Sequence, residues 1–267
     1  MQPFAKKSLG QHFLRSRPVA ESMCDAVHLS MEDTVLEIGP GTGALTEVLL
    51  KRAGEVIALE LDQRMIDFLS ERFSEEIQKG RLTLIKDDVR TFSPASLKRK
   101  AGGYKIIANI PYYLTGSFLR TFLSHSTHPS DMAVLVQKEV AQRIAKSEKE
   151  SILSLSVKAY GTPRYVGTVK RGLFSPPPAV DSAVLAITGI SKAFFKNSDE
   201  EKTFFDALHA GFGKKRKFLA RNLELVASPE AIEAAYTSQH LHKTARAEDV
   251  SLQTWIGLVR SLAASKK

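Results

Sequence analysis

The stretch Val35-Leu36-Glu37-Ile38-Gly39-Pro40-Gly41-Thr42-Gly43-Ala44 constrains this chain more than any other. An aliphatic strand breaks there into three alternating glycines, after which Leu45, Leu49 and Leu50 begin the apolar face of a helix. Strand, glycine turn and helix in that order form the opening unit of a nucleotide-type α/β domain. Glycine is required because a side chain would obstruct the turn or keep the backbone from lying against a ligand. The pattern alone leaves the ligand open. Gly39, Gly41 and Ala44 meet a relaxed dinucleotide fingerprint, whereas Gly39, Gly41 and Gly43 preceded by Glu37 suit S-adenosylmethionine. Either ligand needs an acid at the end of the second strand for its ribose hydroxyls, and Glu60, closing Val56-Ile57-Ala58-Leu59, has that place.

Strands are predicted at 34–38, 56–60, 82–86, 105–109 and 132–136. Helices are predicted at 44–53, 63–73, 116–124 and 137–147, with an earlier one from Pro18 to about His28. Strand followed by helix at this spacing implies a largely parallel sheet covered on both faces, with ligands beyond the carboxyl ends of the strands. Glu37, Glu60, Asp87, Asp88 and Asn109 all fall at those ends. Segments 165–169 and 183–188 read as an antiparallel pair finishing the sheet. Between them Phe174-Ser175-Pro176-Pro177-Pro178 sets a fixed aromatic at a loop entrance. From 190 onward the pattern is helical: Phe204, Phe205, Leu208 and Phe212 share one face, Asp199 or Thr203 is the expected cap, and short helices follow at 229–236, 248–253 and 254–263. The expected architecture is α/β, a Rossmann-like sheet domain over 1–189 with a small helical domain over 190–267.

The 267 residues carry a net charge of +9, so an anionic partner is in question. The excess is concentrated in Gly211-Phe212-Gly213-Lys214-Lys215-Arg216-Lys217-Phe218-Leu219-Ala220-Arg221-Asn222, where cations interleave with aromatics and no acid occurs. Lys214, Lys215, Arg216, Lys217 and Arg221 are candidate phosphate contacts, as are Lys138 and Arg143 after the fifth strand. A single cysteine, Cys24, excludes an intrachain disulfide framework and a cysteine-rich zinc site, and the histidines lack metal-ligand spacing. Neither a signal-peptide core nor a bilayer-spanning apolar run is visible, so a soluble, cytoplasmic and monomeric protein is expected. Residues 1–18 are basic and contain Ser8-Leu9-Gly10-Gln11-His12-Phe13-Leu14, which suits either a flap over a cofactor pocket or a free arm.

Asn109-Ile110-Pro111-Tyr112-Tyr113 carries the most chemistry. The Asn109 amide oxygen and the Ile110 carbonyl can accept from an exocyclic amine, Pro111 stiffens the turn without adding a competing N–H, and Tyr112 offers a ring to a base. Methyl transfer to an adenine amine from a sulfonium donor needs such acceptors and alignment rather than a strong base. Asp88 is the candidate acceptor for the cofactor's adenine amine.

Taken with Leu9–Leu14, the glycine turn, the run from Phe174 to Ser182 and the basic segment, these motifs resemble the ribosomal RNA adenine dimethyltransferase family over nearly the whole chain. That resemblance implies S-adenosylmethionine held by His12, Leu14, Gly39, Gly41, Glu60, Asp88 and Asn109, and a target adenine clamped between Tyr112 and Phe174. It also implies N6,N6-dimethylation of two adjacent adenosines near the 3′ end of 16S ribosomal RNA in the small subunit or its precursor. Large-subunit adenine methyltransferases that confer antibiotic resistance share the active-site motifs, and the helical region from 190 favours the small-subunit reading. A noncatalytic assembly factor on the same fold and a nicotinamide-dependent oxidoreductase are the other readings. Two features depart from the family: Ser16 stands where an acid is common, and 144–151 lacks the usual proline-glycine turn.

Overall fold

The computed structural model describes residues 4, 6 and 10–264; Lys7, Ser8 and Leu9 of the N-terminal segment lie outside the described residues. Two compact units emerge, one of residues 1–145 with 161–191 and one of 146–160 with 192–267.

In the first unit β1 (Phe13–Leu14) precedes α1 (Arg17–Ala26), β2 (Thr34–Ile38), α2 (Ala44–Leu50) and β3 (Glu55–Glu60). Then come α3 (Gln63–Arg72), α4 (Ser74–Gln78), β4 (Leu82–Lys86), β5 (Lys105–Asn109), α5 (Thr115–Ser124), β6 (Met132–Gln137) and α6 (Lys138–Ala145). After α7 (Ile152–Lys158), which belongs to the second unit, the chain returns through β7 (Thr162–Val169), β8 (Phe174–Ser175) and β9 (Ser182–Thr188). Seven strands form one sheet in the order β4-β3-β2-β5-β6-β9-β7. The pairs from β4 to β6 are parallel, and β9 runs antiparallel to both β6 and β7. Continuous apolar runs explain the central positions: Met132 through Val136 are all buried, as are Val35, Leu36 and Ile38, which suits strands covered on both faces. Register aligns Val35 with Val56 and Ile38 with Leu59, so the ends of β2 and β3 are level.

Helices α1 and α2 supply Met23, Cys24, Leu45 and Leu49 to the core on one side of this sheet. Burial pushes the Cys24 thiol up to about 12, leaving it an inert core group. Helix α2 opens from Gly43 at φ +83° and stops at Leu50, three residues before the expected end. Past the helix end the chain packs closely at Gly54, where a β-carbon would lie 2.4 Å from the Met31 carbonyl oxygen.

The second unit contains α7, α8 (Ser198–Gly211), α9 (Leu219–Leu223), α10 (Pro229–Ser238) and α11 (Leu252–Ala264). Residues 146–160 therefore group with the C-terminal helices rather than with 1–145, against the expected boundary at 189/190. Tyr160 accounts for this: its ring stacks on Phe205 at 6.0 Å, meets Phe195 edge-on at 5.7 Å, and its hydroxyl donates to Glu201. Asn197, not Asp199 or Thr203, caps α8 by accepting the Glu200 N–H at 2.9 Å. The helix expected at 248–253 is only a short turn over Ala247–Asp249, and the last helix starts two residues earlier than read, at Leu252. Trp255 is fully buried beneath the end of α8, where a β-carbon on Gly211 would stand 2.5 Å from the indole.

Candidate functional site

At the carboxyl ends of β2, β3 and β5, with the segment after β4, lies an open cleft. His12, Gly39, Gly41, Glu60, Asp88, Asn109 and Tyr112, all singled out from the sequence, line it together. The parallel register brings the strand ends together, and His12 joins them from the N-terminal segment, 97 positions before Asn109.

Backbone geometry makes the glycine turn specific. Gly39, Gly41 and Gly43 have φ of +67°, +54° and +83°, a region that costs other residues roughly 1–2 kcal/mol. Space is also limiting at Gly41, where a β-carbon would sit 2.7 Å from the Phe13 ring. A β-carbon at Gly39 would have, among the described residues beyond its chain neighbours, only the Asn109 carbonyl oxygen within 4 Å, at 3.6 Å, so the backbone there is open to a ligand.

The carboxylates around the turn differ in environment. Glu60 is buried and accepts N–H groups from Asp62 at 2.9 Å and Gly41 at 3.3 Å. Burial raises its pKa against those hydrogen bonds. Asp88 is more open; the Arg90 guanidinium, 2.9–3.0 Å from its oxygens through Nε, holds it below the ordinary carboxylate range. Glu37 does not line this cleft. It is 1% exposed and accepts from the Thr46 hydroxyl at 2.7 Å, and its Oε1 has no hydrogen-bond partner among the described residues. Desolvation is the main reason its carboxyl is pushed up to about 8, with the Glu60 charge adding to it.

Asn109 is oriented from the N-terminal segment. Its Nδ2 donates to the His12 carbonyl at 2.8 Å, so the amide oxygen is the end left to accept from a ligand. His12 is itself anchored through Nδ1, which donates to the Pro176 carbonyl at 2.8 Å. Tyr112 lies nearly parallel to the His12 ring at 6.3 Å, and its hydroxyl is 2.6 Å from Ser182 Oγ.

Two expected residues stand elsewhere. Leu14 lines a smaller neighbouring cavity with Glu37, Pro40 and Thr42. Phe174 is not at a loop entrance: β8 pairs antiparallel with β1, Leu14 opposite Phe174, and the ring is 4% exposed within the core. Sequence reasoning missed Tyr113, which is 67% exposed on the wall of the cleft with Gly10 against its ring; a second tyrosine after the proline was the only signal. Arg90 was missed as well, although its place two residues after Asp88 pointed to the pair.

Lys138 opens α6, with its N–H on the Asp181 carbonyl, and Arg143 is exposed in the last turn of that helix. In the second unit Lys214, Lys215, Arg216 and Lys217 are all exposed and line one shallow concavity, whereas Arg221 pairs with Glu224 at 3.1 Å. Among the described residues no group of His, Cys, Asp or Glu could hold a metal, and no helix is long and apolar enough to cross a membrane.

Comparison with known proteins agrees with this geometry. A family model described as ribosomal RNA adenine dimethylase matches residues 4–264. The chain is 43% identical over 256 residues to a Dehalococcoides mccartyi protein named ribosomal RNA small subunit methyltransferase A, covering 94% of this chain and 86% of that one. A Fusobacterium nucleatum protein of the same name is 34% identical over 260 residues, 96% of each chain. Among solved structures, a dimethyladenosine transferase from Plasmodium falciparum matches with a TM-score of 0.78 at 24% identity, over 96% of this chain and 98% of that one. The 23S rRNA methyltransferase ErmE matches with a TM-score of 0.76 at 23% identity, over 94% and 99%. These two structures speak for the fold, while the family match and the sequence relatives carry the assignment: the chain belongs to the ribosomal RNA adenine dimethylase family.

Proposed function

We propose that this protein transfers methyl groups from S-adenosylmethionine to N6 of two adjacent adenosines near the 3′ end of 16S ribosomal RNA, in the small ribosomal subunit or its precursor. It does so in the cytoplasm and as a monomer. The observation that carries this reading is the Asn109 amide, fixed by His12 with its oxygen free to accept, on the wall that the glycine turn shares.

The residues fit the cofactor chemically. Open backbone at Gly39 admits close approach, Glu60 can accept ribose hydroxyls, and ionised Asp88 can accept an adenine amine. The unpartnered Oε1 of Glu37 beside the smaller cavity suits the polar methionine end. Bound there, the cofactor supplies a methyl group already activated on a sulfonium. The protein's own work is alignment: Asn109 Oδ1 and the Ile110 carbonyl accept the target N–H groups, which turns the nitrogen lone pair toward the methyl. Tyr112 holds the base, its ring steadied by the hydrogen bond to Ser182. Phe174, two residues before the Pro176 carbonyl that anchors His12, is proposed as the opposing face. Lys138, Arg143, Lys214, Lys215, Arg216, Lys217 and Arg221 contact RNA phosphates.

Methyl transfer into unmodified small subunits, followed by digestion and mapping, tests cofactor, reaction and target at once. Two neighbouring dimethyladenosines near the 3′ end are expected. Label found only in large-subunit RNA would move the activity to the other subunit, and RNA binding without incorporation would make the protein an assembly factor.

A further inference from the structure

We infer that Phe218 is a base-stacking residue, holding an unpaired RNA base while Lys214, Lys215, Arg216 and Lys217 bind the phosphates beside it. This rests on the proposed function for the nature of the anion, and goes beyond it in assigning a reader of single-stranded structure to the second unit.

The segment between α8 and α9 is fixed from beneath. Buried Asn222 donates its Nδ2 to the carbonyls of Gly211 at 2.6 Å and Lys214 at 3.2 Å. Lys217 N–H closes a turn on the Lys214 carbonyl at 3.0 Å, and Leu219 N–H is held by the Ala245 carbonyl at 2.8 Å. Phe212, at the start of the segment, stacks on Trp255 at 5.9 Å and 18°. A loop held in this way presents its side chains from a set position, which lowers the entropic cost of ordering them on a ligand.

Several cations of the unit are paired. Lys149, Lys158, Lys192, Lys202 and Arg260 each pair with a carboxylate, whereas Lys214, Lys215, Arg216 and Lys217 form no ion pair among the described residues. Four exposed cations around one concavity attract a polyanion, and they do so without regard to sequence or strandedness. Phe218 follows them directly. It is 43% exposed and stacks on no other ring among the described residues, although this unit buries Phe204 completely. Stacking requires a free base face, which a duplex does not offer, so a ring among phosphate-binding cations discriminates in favour of unpaired RNA. Helix α9, five residues long, is too short to lay an apolar face on a membrane.

Fluorescence anisotropy with the full-length protein tests this, using a labelled RNA hairpin with a single-stranded loop and a fully paired RNA of equal phosphate number. F218A is expected to lose about 5- to 150-fold in affinity for the hairpin. Its affinity for the duplex and its salt dependence should stay within about twofold of wild type. F218Y and F218W should bind the hairpin as wild type does, whereas F218L, which keeps apolar area without a ring face, should resemble F218A. An unchanged hairpin affinity in F218A, an equal loss on the duplex, or wild-type hairpin affinity in F218L would overturn the inference. So would tight binding to anionic phospholipid vesicles that depends on Phe218 while RNA binding does not. Wild-type methyl transfer into small subunits, run in parallel, separates the two claims: transfer with an indifferent Phe218 removes only this inference, and selective hairpin binding without transfer removes only the proposed activity.

Discussion

The amide nitrogen of Asn109 donates to the carbonyl of His12 at 2.8 Å across 97 positions of sequence. A flipped amide would set two oxygens against each other, so this bond selects the rotamer that offers Oδ1 to a substrate amine. Replacing Asn109 with alanine should lower the single-turnover methyl-transfer rate by about 100- to 1000-fold, the usual cost of losing one aligned polar partner in an active site. Circular dichroism should show an intact fold. Near-normal turnover would remove Asn109 from the chemistry.

Gly41 and Gly80 provide a controlled comparison. Both have positive φ, but a β-carbon at Gly41 would meet the Phe13 ring at 2.7 Å, whereas at Gly80 nothing lies within 4 Å. Gly80→Ala should therefore cost only the backbone term, about 1–2 kcal/mol. Gly41→Ala should cost more by thermal denaturation and should also weaken S-adenosylmethionine binding in a calorimetric titration. Equal costs would mean that Phe13 gives way freely.

Glu37 makes stability depend on pH in an unusual direction. Its carboxyl titrates near 8 when folded against an ordinary value of 4.5, chiefly through desolvation, so between those limits the folded chain holds a proton that the unfolded chain releases. Its contribution is fully present below about 4.5 and is lost as pH rises toward about 8. Glu37→Gln mimics the protonated acid and keeps an acceptor for Thr46, so the variant should lose this part of the decline in Tm, gaining on wild type as pH rises through that window. A Tm profile parallel to wild type would show that Glu37 is ionised in the fold.

Removing the four cations Lys214, Lys215, Arg216 and Lys217 together, as alanines, should weaken RNA binding. The slope of log affinity against log salt should flatten by roughly three, from about 0.7 per single-strand phosphate contact. Because all four are exposed, Tm should barely change. An unaltered salt slope would assign the run to solubility.

The sheet and the rim of its cleft were legible because buried parallel strands leave unbroken apolar runs, and because most of the acids and amides at their carboxyl ends converge there. Glu60, Asp88 and Asn109 were placed on one rim in that way. The β1–β8 pairing was not legible: two residues carry no period, and what buries Phe174 is its registration with Leu14, far away in sequence. Asn197, Asp199 and Thr203 all have capping chemistry, and only the backbone path at Asn197 decided among them. Likewise, the placement of 146–160 followed from contacts of Tyr160 with rings that local sequence cannot reveal.

Gly211 stands at the root of the basic segment, where a β-carbon would lie 2.5 Å from the Trp255 indole and 2.8 Å from the Leu219 side chain. The helix therefore has no slack where it hands over to the cations, and any bulk added there must lever its end outward. Surface charge in this unit is in that sense gauged from its interior: an alanine at 211, remote from solvent, would re-aim the four cations without altering one of them.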